Sequence, residues 1–200
     1  MPTALTAADL ITKLRLPVLI ALLAIGACTV QRAESVRVTR EAIGSMRVDR
    51  PIAELREMMP GATDTTVTIA QAVRPGVAFH FPDLTVVATQ QRDSIDPSRP
   101  ADLWTLTGCG GQLPNTVPLC ANWQELTRAF GRTGTGTTAS GPAVVQLCSL
   151  PGFEFELDVG QGTVGSLETA PDLARIPGTA RIERVTLSRT ATDACESPGR

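Results

Sequence analysis

The unbroken apolar run from Leu16 to Ala27, which stops at Cys28-Thr29-Val30-Gln31-Arg32, decides how much of this chain is available to fold. Lys13 and Arg15 precede it, so the order is basic region, apolar stretch, small residues, which is the layout of an export signal. A membrane-spanning helix needs roughly 20 apolar residues to cross about 30 Å of hydrocarbon. This run is shorter and contains Pro17, so a permanent span is the weaker reading. Residues 1–27 are expected to be cleaved, and the fold is expected to be built from residues 28–200.

The residues Ile25-Gly26-Ala27-Cys28 resemble the lipobox of bacterial lipoproteins. The resemblance implies that Cys28 is diacylated, palmitate-like, and becomes the first residue of the mature protein. Each buried acyl methylene contributes about 0.8 kcal/mol, so one chain holds marginally and two or three hold firmly. By likeness to sorting in Gram-negative cells, Thr29 rather than Asp after that cysteine implies the periplasmic face of the outer membrane.

Without its first 27 residues the 200-residue chain keeps 173, ample for one core or two small ones. Two of the 18 Lys and Arg and one of the 20 Asp and Glu lie in the leader, leaving a net charge of −3. That is no footprint for nucleic acid, and no nucleic-acid partner is expected. With Cys28 assigned to lipid, Cys109, Cys120, Cys148 and Cys195 remain, an even number in an oxidising compartment. Four cysteines allow three pairings. The preferred one is Cys109 with Cys120, closing a loop rich in turn formers, and Cys148 with Cys195, tying the tail to a central strand. A zinc site is disfavoured, since there is no Cys-x-x-Cys and the single histidine, His80, is remote.

Residues 28–36 are polar and unpatterned, which suits a tether. A first helix is expected after Asp49-Arg50-Pro51, a cap and a first-turn proline, with Ile52, Leu55, Met58 and Met59 on one face and Pro60-Gly61 beyond it. Strands are expected over Thr65 to Ile69, Val77 to Phe81 and Leu84 to Ala88. Gln91 to Ala101 reads as a loop joining two halves, 37–92 and 103–200, with the linker at 93–102. A second helix is expected where Asn122 and Glu125 form a capping box, Trp123, Leu126 and Phe130 make the apolar face, and Gly131 closes it. Strands return over Ala143 to Cys148, Phe153 to Asp158 and Ala180 to Ser188.

The halves read as divergent copies, Ala53-Glu54-Leu55 answering to Gln124-Glu125-Leu126 and Pro75-Gly76 to Pro151-Gly152. The fold class is therefore α+β: two short helices on antiparallel sheet, a tandem pseudo-repeat braced by disulfides. Helix followed by meander behind a lipobox resembles the SmpA-type small lipoproteins of the outer-membrane barrel-assembly machinery and the tandem domains of related secreted inhibitory proteins. The segment that carries this likeness is Arg47-Val48-Asp49-Arg50-Pro51-Ile52-Ala53-Glu54-Leu55.

No catalytic signature stands out. Gly131 to Thr138 has the glycine spacing of a phosphate loop, but Thr137 stands where the lysine is needed, so a flexible surface loop is expected and no nucleotide. Glu154, Glu156 and Asp158 share one face of a strand, as the polar side of any half-exposed strand does. His80 lies between Phe79 and Phe81, with no Gly-x-Ser-x-Gly segment to complete a triad. Trp104 and Trp123 flank the Cys109 to Cys120 loop, where indoles fill cores or stack ligands. The charged loop from Asp93 to Arg99 is a natural place for partner contact.

The expected function is a non-enzymatic, membrane-anchored binding or structural module with an envelope protein as partner and no cofactor. Two alternatives come from other classes. One is an envelope hydrolase or metal-dependent enzyme using His80 with Glu154 or Glu156, which needs those side chains in one cleft. The other is a small-ligand or sugar-binding lipoprotein, which needs Trp104 or Trp123 in an apolar pocket.

Overall fold

The computed structural model describes residues 35–69, 72–137, 142–160 and 170–189, so Cys28, Cys195 and the leader lie outside the described residues. The tether ends earlier than expected, because Val36 already belongs to a strand. That strand, β1 (Val36–Arg37), is followed by the hairpin β2 (Ala42–Ile43) and β3 (Met46–Arg47), the helix α1 (Ile52–Met58), and the strands β4 (Thr63–Ile69), β5 (Ala72–Phe81) and β6 (Leu84–Thr89). Then come β7 (Leu103–Gly108), β8 (Gly111–Gln112), the helix α2 (Trp123–Phe130), and β9 (Gly134–Thr137), β10 (Ala143–Leu147), β11 (Phe153–Asp158) and β12 (Arg181–Ser188). Short 3-10 turns lie at Pro114–Thr116 and Ala170–Arg175. The fold is α+β, two helices on a mostly antiparallel sheet.

Eight strands join in one sheet in the order β4-β5-β6-β7-β12-β11-β10-β9. Each half is thus a helix followed by a four-strand meander, and the halves meet through their last strands. At that junction Val185 faces Leu106 and Leu187 faces Trp104, on either side of the Thr186–Thr105 pair. Exchanging the two strands maps Trp104 onto Val185 and Leu106 onto Leu187, so a pseudo-twofold passes through the two threonines. The helix correspondence of the sequence survives this symmetry, but the Pro-Gly one does not. Pro75-Gly76 lies inside β5, whereas Pro151-Gly152 lies in the turn before β11, the counterpart of β6. The division between halves also falls later than expected: 93–102 links two adjacent strands of one sheet, and β7 completes the first meander.

The helices begin in matching ways. Ile52 and Ala53 donate their N–H groups to the carbonyls of Arg99 and Pro97, and Trp123 and Gln124 donate theirs to Ala180 and Gly178. The loop entering each half's last strand therefore satisfies the first donors of that half's helix, groups a helix leaves unpaired. At α1 this replaces the expected side-chain cap. Asp49 is instead held by the Arg47 guanidinium at 3.1 Å, which lowers its carboxyl below the usual range. At α2 the capping box forms as expected: Glu125 N–H to the Asn122 side chain at 2.9 Å, Asn122 N–H to the Glu125 carboxylate at 3.0 Å. Gly131 ends the helix at φ +80°, a conformation that a side chain would strain. Asn122→Ala should lower stability by about 1 kcal/mol in chemical denaturation. No change would mean that the Trp123 and Gln124 bonds alone fix this helix start.

One core gathers both helices and one face of the sheet: Ile52, Leu55, Trp123 and Leu126 pack with Phe79, Val86, Trp104, Phe155 and Leu187. Beside it, Cys109 and Cys120 are disulfide-bonded across the loop that holds β8 against β1. There Gly110 approaches the Pro82 carbonyl so closely that a Cβ would stand 1.9 Å from it, which explains a glycine at that turn. Cys148 is also disulfide-bonded, and its expected partner, Cys195, lies outside the described residues.

Candidate functional site

Register separates the two faces of the sheet. Val77, Phe79, Val86, Ala88, Trp104, Leu106, Val185, Leu187, Phe153 and Phe155 line the face beneath the helices and are buried. On the other face one row crosses all eight strands: Thr63, Ala78, Val87, Thr105, Thr186, Glu154, Gln146 and Thr135. Ile52 and Leu55 of α1 and Trp123 and Leu126 of α2 are buried in the opposite layer, so this threonine-bearing face carries no described helix; Met58, expected on the apolar face of α1, is instead exposed, because the helix ends there and its last turn points away from the core.

That face is concave. Arg184 on β12 pairs with Glu156 at 3.2 Å and donates to the main-chain carbonyl of Thr68 on β4 at 3.3 Å. Three strands lie between β12 and β4. In a flat sheet four spacings of about 4.8 Å would hold them about 19 Å apart, beyond an arginine's reach, so the sheet must curl until β4 arches over this face. On the same face, the hydroxyls of Thr89 and Thr105 are buried without a hydrogen-bond partner. Beside Arg184, Glu154 accepts from the Gln146 amide at 3.2 Å.

The sequence candidates are not gathered into one site. His80 is exposed on β5 and meets the Thr85 hydroxyl at 3.5 Å, while Glu156 is engaged by Arg184 and Glu154 by Gln146. His80 and the two glutamates share the concave face, but three strands separate β5 from β11. Alternation assigned their face correctly and said nothing of strand order. Trp104 and Trp123 have 0% and 1% exposure, so both indoles are core and neither lines an open pocket. Among the described residues no group of three or more His, Cys, Asp or Glu is placed to hold a metal ion. Also among them, no helix is long and apolar enough to cross a membrane.

Two segments are more regular than expected. Gly131 to Thr138, expected as a flexible loop, includes the edge strand β9, which pairs with β10 in continuous register from Gly134–Leu147 to Thr137–Val144. Its glycines hide the strand, since composition reads them as turn formers. The loop from Asp93 to Arg99 is exposed but ordered by the buried Gln90. Its side chain donates to the carbonyls of Asp96, Arg99 and Pro100 and accepts from the Asp96 N–H at 2.7 Å. The Asp96 carboxyl is held below its usual range, first by the Ser98 hydroxyl at 2.6 Å and then by the Ser98 N–H at 3.0 Å. Nearby Arg92 and Arg99 add to this, and partial desolvation opposes it.

No family model matches the chain, and no curated protein matches it. Among solved structures it is similar to the uncharacterized protein yfeY from Escherichia coli, with a TM-score of 0.51 at 10% identity, covering 76% of this chain and 99% of that one. At that identity the likeness is one of fold.

Proposed function

We propose that this chain is a lipid-anchored envelope protein that works as a non-enzymatic binding module, tethered through Cys28 at the periplasmic face of the outer membrane. The observation that carries the reading is the concave sheet face. Outside a buried strip at Ala78, Thr89 and Thr105 it presents threonine, glutamate and glutamine side chains and carries no described helix, whereas the candidate catalytic side chains are dispersed along it and each is met by a neighbour. Such a surface suits recognition of another protein better than a reaction, which needs its groups within about 3 Å of one another. The Ile25-Gly26-Ala27-Cys28 segment supports the anchor, and the disulfide at Cys109 and Cys120 fits an oxidising compartment. The partner is an envelope protein.

Two measurements test this. Cys28→Ser should leave the protein unprocessed or release it from the membrane fraction; normal cleavage with unchanged retention would overturn the anchor. Crosslinking in cells, then purification of the detergent-solubilised protein, should recover one envelope protein reproducibly, and recovery should fall when Thr186 or Glu154 on the concave face is replaced by arginine. Recovery of nothing reproducible would overturn the binding role.

A further inference from the structure

We propose that the distal part of the β4–β5 hairpin, residues 66–69 and 72–75, is a lid over a binding site for a long-chain acid on the concave face. The site goes beyond the protein partner inferred above and does not depend on it. Strand pairing locates the lid. β5 meets β6 only from the Gly76–Thr89 pair to the Phe81–Leu84 pair, so residues 72–75 run past the end of β6 with β4 as their strand neighbour. Yet the carbonyl that Arg184 of β12 holds, that of Thr68, belongs to this projecting part. The hairpin therefore bends back over the concave face instead of continuing outward. Gly76 stands at the bend. A Cβ there would come within 2.6 Å of a Val87 methyl and 3.3 Å of the Thr89 hydroxyl, so a side chain would keep β5 from lying this close.

Exposure follows the same geometry. On β4, Thr65, Val67 and Ile69 face inward and are half-buried, while Thr66 and Thr68 are exposed; on β5, Ala72 and Arg74 are half-buried and Val73 is 70% exposed. Beside Gly76, at the foot of the lid, lies Thr89, and one strand further Thr105. They are 0% and 3% exposed, and neither hydroxyl has a hydrogen-bond partner. Leaving a buried hydroxyl unpaired is unfavourable, and valine would fill the same space without that cost. An acceptor supplied by a ligand is what both groups lack.

The lining selects the ligand. By register, the apolar side chains on this side of β4, β5 and β6 are Val67, Ile69, Ala72, Ala78 and Val87. No carboxylate faces this side on β4, β5, β6 or β7, whereas Arg74 does, and Arg184 lies across from it on β12. A slender apolar chain ending in an acid group matches that set. Its methylenes would lie against the apolar side chains, and its acid oxygens would accept from a guanidinium and from the threonine hydroxyls. Arg184 uses one nitrogen, Nη1, for both Glu156 and Thr68, and the guanidinium fork carries further N–H donors. The row Thr186, Thr105, Val87 and Ala78 crosses three strand spacings, roughly 14 Å, the length of about a dozen extended methylenes. Because the floor is buried, the lid must lift before the chain enters.

The test uses the full protein in phospholipid nanodiscs and, as probe, dodecanoic acid bearing a photoreactive diazirine near its methyl end. After irradiation, peptide mapping should place the adduct on the lid or on Ala78 or Val87, and unlabelled dodecanoic acid should compete it away. The matching alcohol should label at least about tenfold less, and Arg184→Gln should bring the two probes level, since loss of the latch affects both alike. Replacing Thr89 and Thr105 together by valine removes the hydroxyls and keeps the shape. That variant should melt no lower than the parent and label at least about tenfold less. The proposal is overturned by adducts only elsewhere, by labelling that unlabelled acid does not reduce, by equal labelling of the parent with the alcohol, or by a valine variant that melts lower or labels undiminished. Each of these results would leave the crosslinking of an envelope protein standing.

Discussion

Trp104→Ala is expected to destabilise the protein by about 3–5 kcal/mol, which in a domain of this size lowers Tm by roughly 10 °C or more. The indole is fully buried, lies 6.3 Å from the Phe79 ring, and stands between Ala88 and Leu187 on the adjoining strands. Ala88 is small, so the volume on that side is filled by the tryptophan itself. Because β7 is one of the two strands that join the halves, the resulting cavity loosens both. Trp104→Phe should be much milder. The indole Nε1 is buried without an acceptor, a penalty of about 1–3 kcal/mol that phenylalanine does not carry. Thermal unfolding of both variants beside the parent is the check. An alanine variant melting within about 2 °C of the parent would mean that the junction repacks freely and is no rigid centre.

Replacing Cys109 and Cys120 together by serine is expected to cost about 3 kcal/mol, the loop-closure contribution of a short ring. The two cysteines are 11 residues apart, and the ring between them holds Gly111, on which β1 pairs, and Leu113, Val117 and Leu119, which are buried in the core. Opening the ring therefore adds freedom to the unfolded chain and loosens the segment leading into α2. Denaturant unfolding of the double variant measures the loss without disturbing the bond at Cys148. A variant as stable as the parent would show that Leu113, Val117 and Leu119 order the loop by packing alone.

The parts of the fold that local chemistry determines are legible in the sequence. Both helices lie where Pro51 and the Asn122–Glu125 box place them, since caps and apolar spacing act within a few residues. Alternation finds β6, β10, β11 and β12 within a residue or two. It misses β7, although Trp104 and Leu106 alternate with Thr105 and Thr107, because the strand is short and runs into Gly108-Cys109-Gly110. It also misses β9, because glycine is as compatible with an edge strand as with a turn. The false match of Pro75-Gly76 with Pro151-Gly152 shows the limit of short motifs: the same dipeptide lies within a strand in one half and makes a turn in the other. Least legible is the candidate site. The concave face shows itself in the reach of Arg184 to a carbonyl 116 positions away, a contact that no local pattern encodes. Alternation places His80, Glu154 and Glu156 on the correct kind of face, yet their separation depends on strand order.

The helix starts closed by distant carbonyls set the order in which this protein can assemble. Ile52 waits for Arg99 and Trp123 for Ala180, 47 and 57 residues further on, and Leu106 meets Val185 after nearly the whole domain has been made. Pairings over such separations are slow to form, so in a chain emerging amino terminus first the β7 edge is expected to wait longest for its second neighbour, β12. During that interval Trp104 and Leu106 lack Leu187 and Val185 beside them. The arrival of β12 closes that edge, which makes the last described strand the guardian of the chain's middle.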